Sequence, residues 1–245
     1  MTEALDSPHD GWSDTFRQSG FAIFTEVLPD SLVDELISKA NALSHNFADR
    51  RRGGIRNLFE AIPESRDLAD SPAIKALVTT VLGYDAIPVR CILFDKVPGT
   101  NWKVPWHQDL AIAVQAKVEI DGYHPWSVKD GVLHVQPPAE ILEKMLAIRI
   151  HLDDCGELNG PLRVLPGTHL LGKIPEQQIE RLALDIPAVT CVIPAGGAML
   201  MSPLLLHASS PAAHPAHRRV IHIEYASATL PAGLNWYCSQ GSLSC

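Results

Sequence analysis

The chain has 245 residues, 46% of them hydrophobic, and carries 20 Lys and Arg against 28 Asp and Glu for a net charge of −8. That is enough apolar material for one sizeable core, or at most two small domains, and an acidic chain without a basic stripe is a poor nucleic-acid binder. The polar segment Met1 to Asp10 does not read as a signal peptide, and no apolar run is long enough to span a bilayer, so no membrane partner is expected.

The one basic cluster, Arg50-Arg51-Arg52 with Arg56, is short and reads as a solvated loop. Five cysteines (Cys91, Cys155, Cys191, Cys238, Cys245) are widely and irregularly spaced without a CxxC pair. They indicate neither a zinc ribbon nor a disulfide framework, and a reducing, cytoplasmic setting is expected.

In chain order, Gly20 to Val27 is a short strand-type segment. Pro29-Asp30-Ser31 then opens a helix with Leu32, Leu36, Ile37, Ala40 and Leu43 on one face. Pro72 to Leu82 is a second amphipathic helix, closed by Gly83. From Ile87 the pattern turns to strands: Val89 to Val97, ending at Pro98-Gly99, then Ile148 to Leu152, Leu162 to Leu165 and Val189 to Ile193. Ala198 to Leu206 reads as one apolar strand closed by His207, and Arg219 to Tyr225 is the last clear strand. Short strands between Gly/Pro turns predict a sandwich or jelly roll of the mainly β, α+β class. A single domain is expected, with a helical part at about 12–86 and a β core at about 87–228. Leu110 to Pro138 is a long connection of the kind that forms lids or binding loops.

The chemistry lies in the histidines. Two histidines and one carboxylate can hold Fe(II) on one face and leave coordination positions open. The first two ligands commonly come from His-x-Asp or His-x-Glu, whose side chains share a strand face. Eleven histidines and 28 acids in 245 residues give about 1.3 such pairs by composition alone, so the pair is weak evidence by itself. Three occur: His107/Asp109, His151/Asp153 and His222/Glu224. The last has no later histidine to serve as distal ligand. His151/Asp153 is a real competitor on spacing, because His207 follows it too, but Asp153 opens a turn where Asp serves backbone hydrogen bonding. His107 follows Pro-Trp and precedes the long connection, a better setting for an open site. Beyond His207 the chain turns back into Arg218-Arg219, and a guanidinium beside the metal suits a carboxylate. Ser209 can add a hydroxyl donor.

The order Pro-Trp-His107-Gln-Asp109-Leu, Asn159-Gly160-Pro161-Leu162, Pro166-Gly167-Thr168-His169, His207-Ala-Ser209 and Arg218, eleven residues after His207, resembles the phytanoyl-CoA-dioxygenase-like oxygenases. The resemblance runs from about Gly20 to Tyr225. It implies a double-stranded β-helix with outer helices, Fe(II) as cofactor and 2-oxoglutarate and O2 as co-substrates. It assigns His107, Asp109 and His207 to iron and Arg218 to the far carboxylate of 2-oxoglutarate. Hydrophobicity alone would turn the Arg219 face inward, so the choice of Arg218 follows the resemblance.

Trp126, Lys129 and His134 are candidate substrate contacts in the long connection, while His214 and His217 read as exposed loop residues and His169 as a turn-holding residue. The expected activity is oxidation, chiefly hydroxylation, of a small organic metabolite. Retention of Asp109 speaks against a halogenase, which vacates that position. The alternatives are a jelly-roll protein with another metal and no 2-oxoglutarate, for which Arg218 has no use, or a non-catalytic binding module, which would tolerate loss of a ligand.

Overall fold

The computed structural model describes residues 11–46, 54–96, 101–214 and 216–238. The expectations for Met1 to Asp10, Arg50–Arg52, Pro98-Gly99 and Cys245 lie outside the described residues. In chain order the elements are α1 (Trp12–Ser19), β1 (Phe21–Phe24), α2 (Asp30–Asn46), β2 (Gly54–Arg56), α3 (Leu58–Ala61), α4 (Glu64–Asp70), α5 (Pro72–Leu82), β3 (Ile87–Asp95), β4 (Val104–His107) and β5 (Ile112–Val114). They continue with β6 (Trp126–Lys129), β7 (Val132–Val135), α6 (Ala139–Leu142), β8 (Met145–His151), β9 (Leu162–Val164), α7 (Glu176–Asp185), β10 (Val189–Cys191), β11 (Ala198–Met201), β12 (His207–Ser209) and β13 (Arg219–Ala226).

Two antiparallel sheets build the double-stranded β-helix. The major sheet runs β1-β11-β8-β13-β3-β2 and the minor sheet β10-β9-β12-β4. The N-terminal helices cover the outer face of the major sheet. Pro72 sits in the first turn of α5, where its missing N–H costs nothing, and Ile74, Leu77 and Val78 fall on its buried face. Together with Leu36, Leu58 and Phe59 they pack on Leu93, Ile148, Ile150, Ile221, Ile223 and Tyr225. The alternate residues of β13, Val220, His222 and Glu224, therefore point the other way, between the sheets. Both faces of this strand are buried, which is why hydrophobicity could not identify the inner one.

Three expectations change. The apolar run Ala198 to Leu206 is not one strand. It breaks after Met201, where Ser202 and Pro203 form a turn with Leu205 N–H donating to the Ser202 carbonyl at 3.0 Å. β11 thus belongs to the major sheet, and His207 opens β12 in the minor sheet rather than closing a strand. Consequently β12 and β13 are not hairpin neighbours: β12 pairs with β4 and β9, and β13 with β3 and β8. Arg218 approaches the His207 region from the opposite sheet.

The third change concerns the long connection. Residues 110–138 carry a small sheet of their own, β5-β7-β6, with a tight β6–β7 turn at Asp130-Gly131, both at positive φ. Ile112, Val114, Tyr123 and Val135 pack it against Val89, Leu142, Met145 and Trp236.

Candidate metal centre

β4 and β12 lie side by side in the minor sheet, with His107 directly opposite His207. The ring centroids are 4.2 Å apart. Asp109 follows two residues after His107, beyond the end of β4, and its N–H donates to the Pro203 carbonyl at 2.9 Å. Between them Gln108 turns away and stitches the backbone. Its amide donates to the Gly172 and Leu204 carbonyls at 2.8 and 2.6 Å, and its oxygen accepts Ile174 N–H at 2.8 Å. The alternation that aims His107 and Asp109 at one point is therefore pinned by hydrogen bonds rather than by strand pairing alone.

Asp109 carboxylate oxygens lie 3.8 Å from His107 Nε2 and 3.6 Å from His207 Nε2. These gaps are inside twice a metal–ligand bond of about 2.0–2.2 Å. The ring nitrogens are also prepared for a metal. His107 Nδ1 donates to the Pro105 carbonyl and His207 Nδ1 to the Leu205 carbonyl, both at 2.9 Å. With the proton on Nδ1, each Nε2 keeps its lone pair free, the usual outer-shell arrangement of ligating histidines. Burial pushes the His207 imidazole down to about 4, so it stays neutral. Burial alone would raise the Asp109 carboxyl, but the protonated forms of His207, His222 and His107, together with the Arg90 guanidinium, outweigh it and hold it well below the usual carboxylate range. His207 is buried, while His107 and Asp109 are partly open to a cavity of about 430 Å³. The three residues fit a single divalent ion with open positions on the cavity side.

The far end of the cavity is cationic. Lys96, Arg149 and Arg218 line it and are 1%, 8% and 5% exposed, yet none forms an ion pair with a described residue. Lys96 Nζ donates to Ser209 Oγ and to the Ser210 carbonyl, each at 3.0 Å. Arg218 donates to the Gly160 carbonyl. Gly160 has φ +60°, and a Cβ there would lie 2.7 Å from the Ser210 oxygen, so only glycine lets this turn close over Arg218. The Nε atoms of Arg149 and Arg218 are buried without a partner. Burial pushes the Lys96 amine down to about 8, and Arg218 adds to it. Burial likewise lowers the Arg149 guanidinium to about 10, again with a contribution from Arg218.

A polar chain crosses the cavity floor from this end. Arg149 Nη1 donates to His222 Nδ1 at 3.2 Å, and His222 Nε2 donates to Glu224 Oε1 at 3.3 Å. Arg90 Nη1 donates to the same oxygen at 3.0 Å. His222/Glu224 is thus occupied in a network rather than gathered with a third metal-binding group.

The rival pair sits elsewhere. His151 is buried at the end of β8, and Asp153 receives Arg219: its oxygens accept the backbone N–H at 2.7 Å, Nε at 2.8 Å and Nη2 at 2.6 Å. Arg219 Nη1 also donates to Asn41 of α2 at 2.9 Å. The cavity is lined by Ser209, Arg218 and Lys129; Trp126 and His134 are not among its lining residues. Trp126 packs with the small sheet, and His134 is buried there with Nδ1 donating to the Val132 carbonyl at 2.9 Å. His217 is exposed, with Nδ1 2.8 Å from Asp95, and His214 is exposed. His169 donates from Nε2 to the Arg17 carbonyl at 3.1 Å, its ring packed where a Cβ on Gly20 would fall.

Sequence reasoning missed Lys96, Arg90 and Arg149 as cavity residues. It also read Arg56 as part of a solvated loop, whereas Arg56 ends β2 and lines the cavity. One signal was available: Arg90, Ile92, Phe94 and Lys96 alternate on one face of the β3 segment, and all four line the cavity.

A double-stranded β-helix with two histidines and an aspartate at its open end defines a class of non-haem metalloprotein. The family model of phytanoyl-CoA dioxygenase (PhyH) matches residues 16–220, and the chain belongs to that family. Membership makes it an oxygenase of the iron- and 2-oxoglutarate-dependent class. Comparison with curated protein sequences finds no match.

Among solved structures, the chain is similar to AviO1 from Streptomyces viridochromogenes Tue57, with 24% identity over 90% of this chain and 95% of that one and a TM-score of 0.66. It is similar to EctD from S. alaskensis, solved with 2-oxoglutarate and 5-hydroxyectoine, with 18% identity over 92% and 78% and a TM-score of 0.68. The epimerase SnoN, solved with Fe3+, alpha ketoglutarate and nogalamycin RO, gives 17% identity over 87% and 81% and a TM-score of 0.67. At these identities the likeness is one of fold. Among the described residues, no helix is long and apolar enough to cross a membrane.

Proposed function

We propose that the chain is a single-domain dioxygenase that hydroxylates a small organic metabolite. In this reading His107, Asp109 and His207 hold Fe(II), and Arg218, assisted by Ser209, takes the far carboxylate of 2-oxoglutarate. The observation that carries it is the set Lys96, Arg149 and Arg218: three buried cations without an acidic partner among the described residues, beside an open facial triad. Burying an unpaired charge costs several kcal/mol, and a dianionic co-substrate offsets it. Arg219 cannot serve equally, because its guanidinium is already committed to Asp153 and Asn41.

When bound, iron and 2-oxoglutarate supply activation of O2, one oxygen atom going to the substrate and the other to succinate, with release of CO2. The protein's own part is positional. The Pro105 and Leu205 carbonyls fix the histidine tautomers, and Gln108 fixes the turn between the first two ligands. Asp109 stays ionised and occupies the position a halide would need, which favours hydroxylation over halogenation. Ile92, Phe94, Val104 and Leu162 line the cavity and limit water. The four free, buried cysteines among the described residues support a reducing, cytoplasmic setting.

The test is anaerobic titration of the Fe(II) protein with 2-oxoglutarate. The expected result is a weak visible charge-transfer band, followed by succinate release on admitting O2. No band and no calorimetric binding of 2-oxoglutarate would overturn the co-substrate assignment.

A further inference from the structure

The cavity holds more positive charge than one co-substrate requires. Six basic side chains line it: Lys96 and Arg218 at one end, Arg56, Arg90 and Lys129 as a second group, and Arg149 between, opposite His222 of β13. Register separates Arg218 from Arg90. Arg218 directly precedes β13, and Glu224, six positions further on, lies opposite Arg90 on β3. That is about 20 Å of extended strand, and a five-carbon diacid spans less than half of it. A 2-oxoglutarate bound at Arg218 therefore leaves the second group untouched.

We infer that the primary substrate is an amphiphilic acid whose carboxylate or phosphate is received by Arg56, Arg90 and Lys129. The inference rests on the functional reading above and adds the substrate's chemical class. Arg90 uses Nη1 on Glu224 at 3.0 Å, and Arg56 uses Nε on Asp130 at 2.9 Å. Neither pairing exhausts a guanidinium with five N–H donors. Lys129 has no ionic or hydrogen-bond partner among the described residues. Three cations against two carboxylates leave the group one positive charge in excess.

The group is also crowded. Lys129 stands at the exposed rim of the cavity; its amine is lowered by partial burial and then by Arg90 and Arg56, and Arg56 is lowered by burial and then by Arg90. An oxyanion among them removes this repulsion. The same group lines one cavity with His107, Asp109 and His207. Beside the polar floor of Arg149, His222 and Glu224 the walls are apolar, with Ile92, Phe94, Val104, Leu110 and Leu162. These walls suit the carbon body of the acid and hold a C–H bond near His107 and Asp109. A cavity of about 430 Å³, shared with 2-oxoglutarate, limits the enclosed part to metabolite size.

The experiment is anaerobic calorimetry on Fe(II) protein loaded with 2-oxoglutarate, using matched probes: octanoate and octanamide, phenylacetate and phenylacetamide, phenyl phosphate and phenol. We expect at least one acid to bind at least tenfold more tightly than its neutral partner, and the better of carboxylate and phosphate names the headgroup. Lys129→Gln and Arg56→Gln should each weaken that acid about five- to tenfold while leaving 2-oxoglutarate affinity unchanged. The proposal is overturned if no anionic probe binds at millimolar concentration, if neutral partners bind as well, or if both variants bind the acid like the parent. Loading with 2-oxoglutarate reads the co-substrate assignment separately. Should loading fail, the same titration on the metal-only protein still decides the anion site.

Discussion

Residues 107–109 and 151–153 carry the same His-x-Asp pattern in two surroundings. At the first, the histidine Nδ1 is tied to a backbone carbonyl, Nε2 is free, and the carboxylate lies 3.6–3.8 Å from two imidazoles on the edge of a cavity. At the second, the carboxylate is taken up by three contacts from Arg219, and the corner joins β8 and β13 to α2 through Asn41. The adjacent arginines divide in the same way. Arg219 completes a closed network, whereas Arg218 lines the cavity without an ion-pair partner. Unused bonding capacity gathered around a cavity marks a candidate site, and spacing alone does not.

The largest expected effect separates the two aspartates. Asp109→Ala should abolish 2-oxoglutarate turnover with a melting temperature within a few degrees of the parent. Asp153→Ala should keep turnover but lose about 3–5 kcal/mol of stability, because it strands the buried Arg219 charge. Succinate assays beside thermal melts read both. Comparable loss of turnover in the two variants would erase the contrast.

The arginines provide the next test. Arg218→Ala should weaken 2-oxoglutarate binding about ten- to a hundredfold, the worth of a charge-assisted contact, whereas Arg219→Ala should act mainly on stability. A larger affinity loss at Arg219, read by calorimetry on the metal-loaded protein, would reverse the assignment.

This contrast also marks how far the sequence could be read. Pro-Trp-His107-Gln-Asp109 and the eleven-residue step from His207 to Arg218 were legible because short motifs survive without knowledge of sheet order. The break of Ala198–Leu206 into strands of two sheets was not, since both halves are buried and an apolar run has no period to interrupt. The sheet in 110–138 was hidden by strands of three or four residues, although Asp130-Gly131 was a visible hairpin signal. Arg149 could not be oriented because its strand is buried on both faces.

Two smaller effects depend on pH. Burial raises the Asp153 carboxyl, but Arg219 outweighs it and holds it below its ordinary value. Its stabilising contribution is therefore complete above the unfolded carboxylate range and is lost as pH falls through the folded value. Acid unfolding of Asp153→Asn should accordingly be less steep than that of the parent, by pH-dependent melting. At the cavity end, binding of a dianion favours charged Lys96, so 2-oxoglutarate affinity should decline as pH rises through about 8. A Lys96→Met variant should bind more weakly and lose that dependence, as calorimetry at several pH values would show.

The most direct measurement is the iron content of His107→Ala and His151→Ala, reconstituted side by side with Fe(II) under anaerobic conditions and then desalted. If the triad is placed correctly, the His151 variant retains iron at the parent's stoichiometry and the His107 variant loses it. Iron retained by the His107 variant and lost from the His151 variant would move the metal to the other pair and contradict the account.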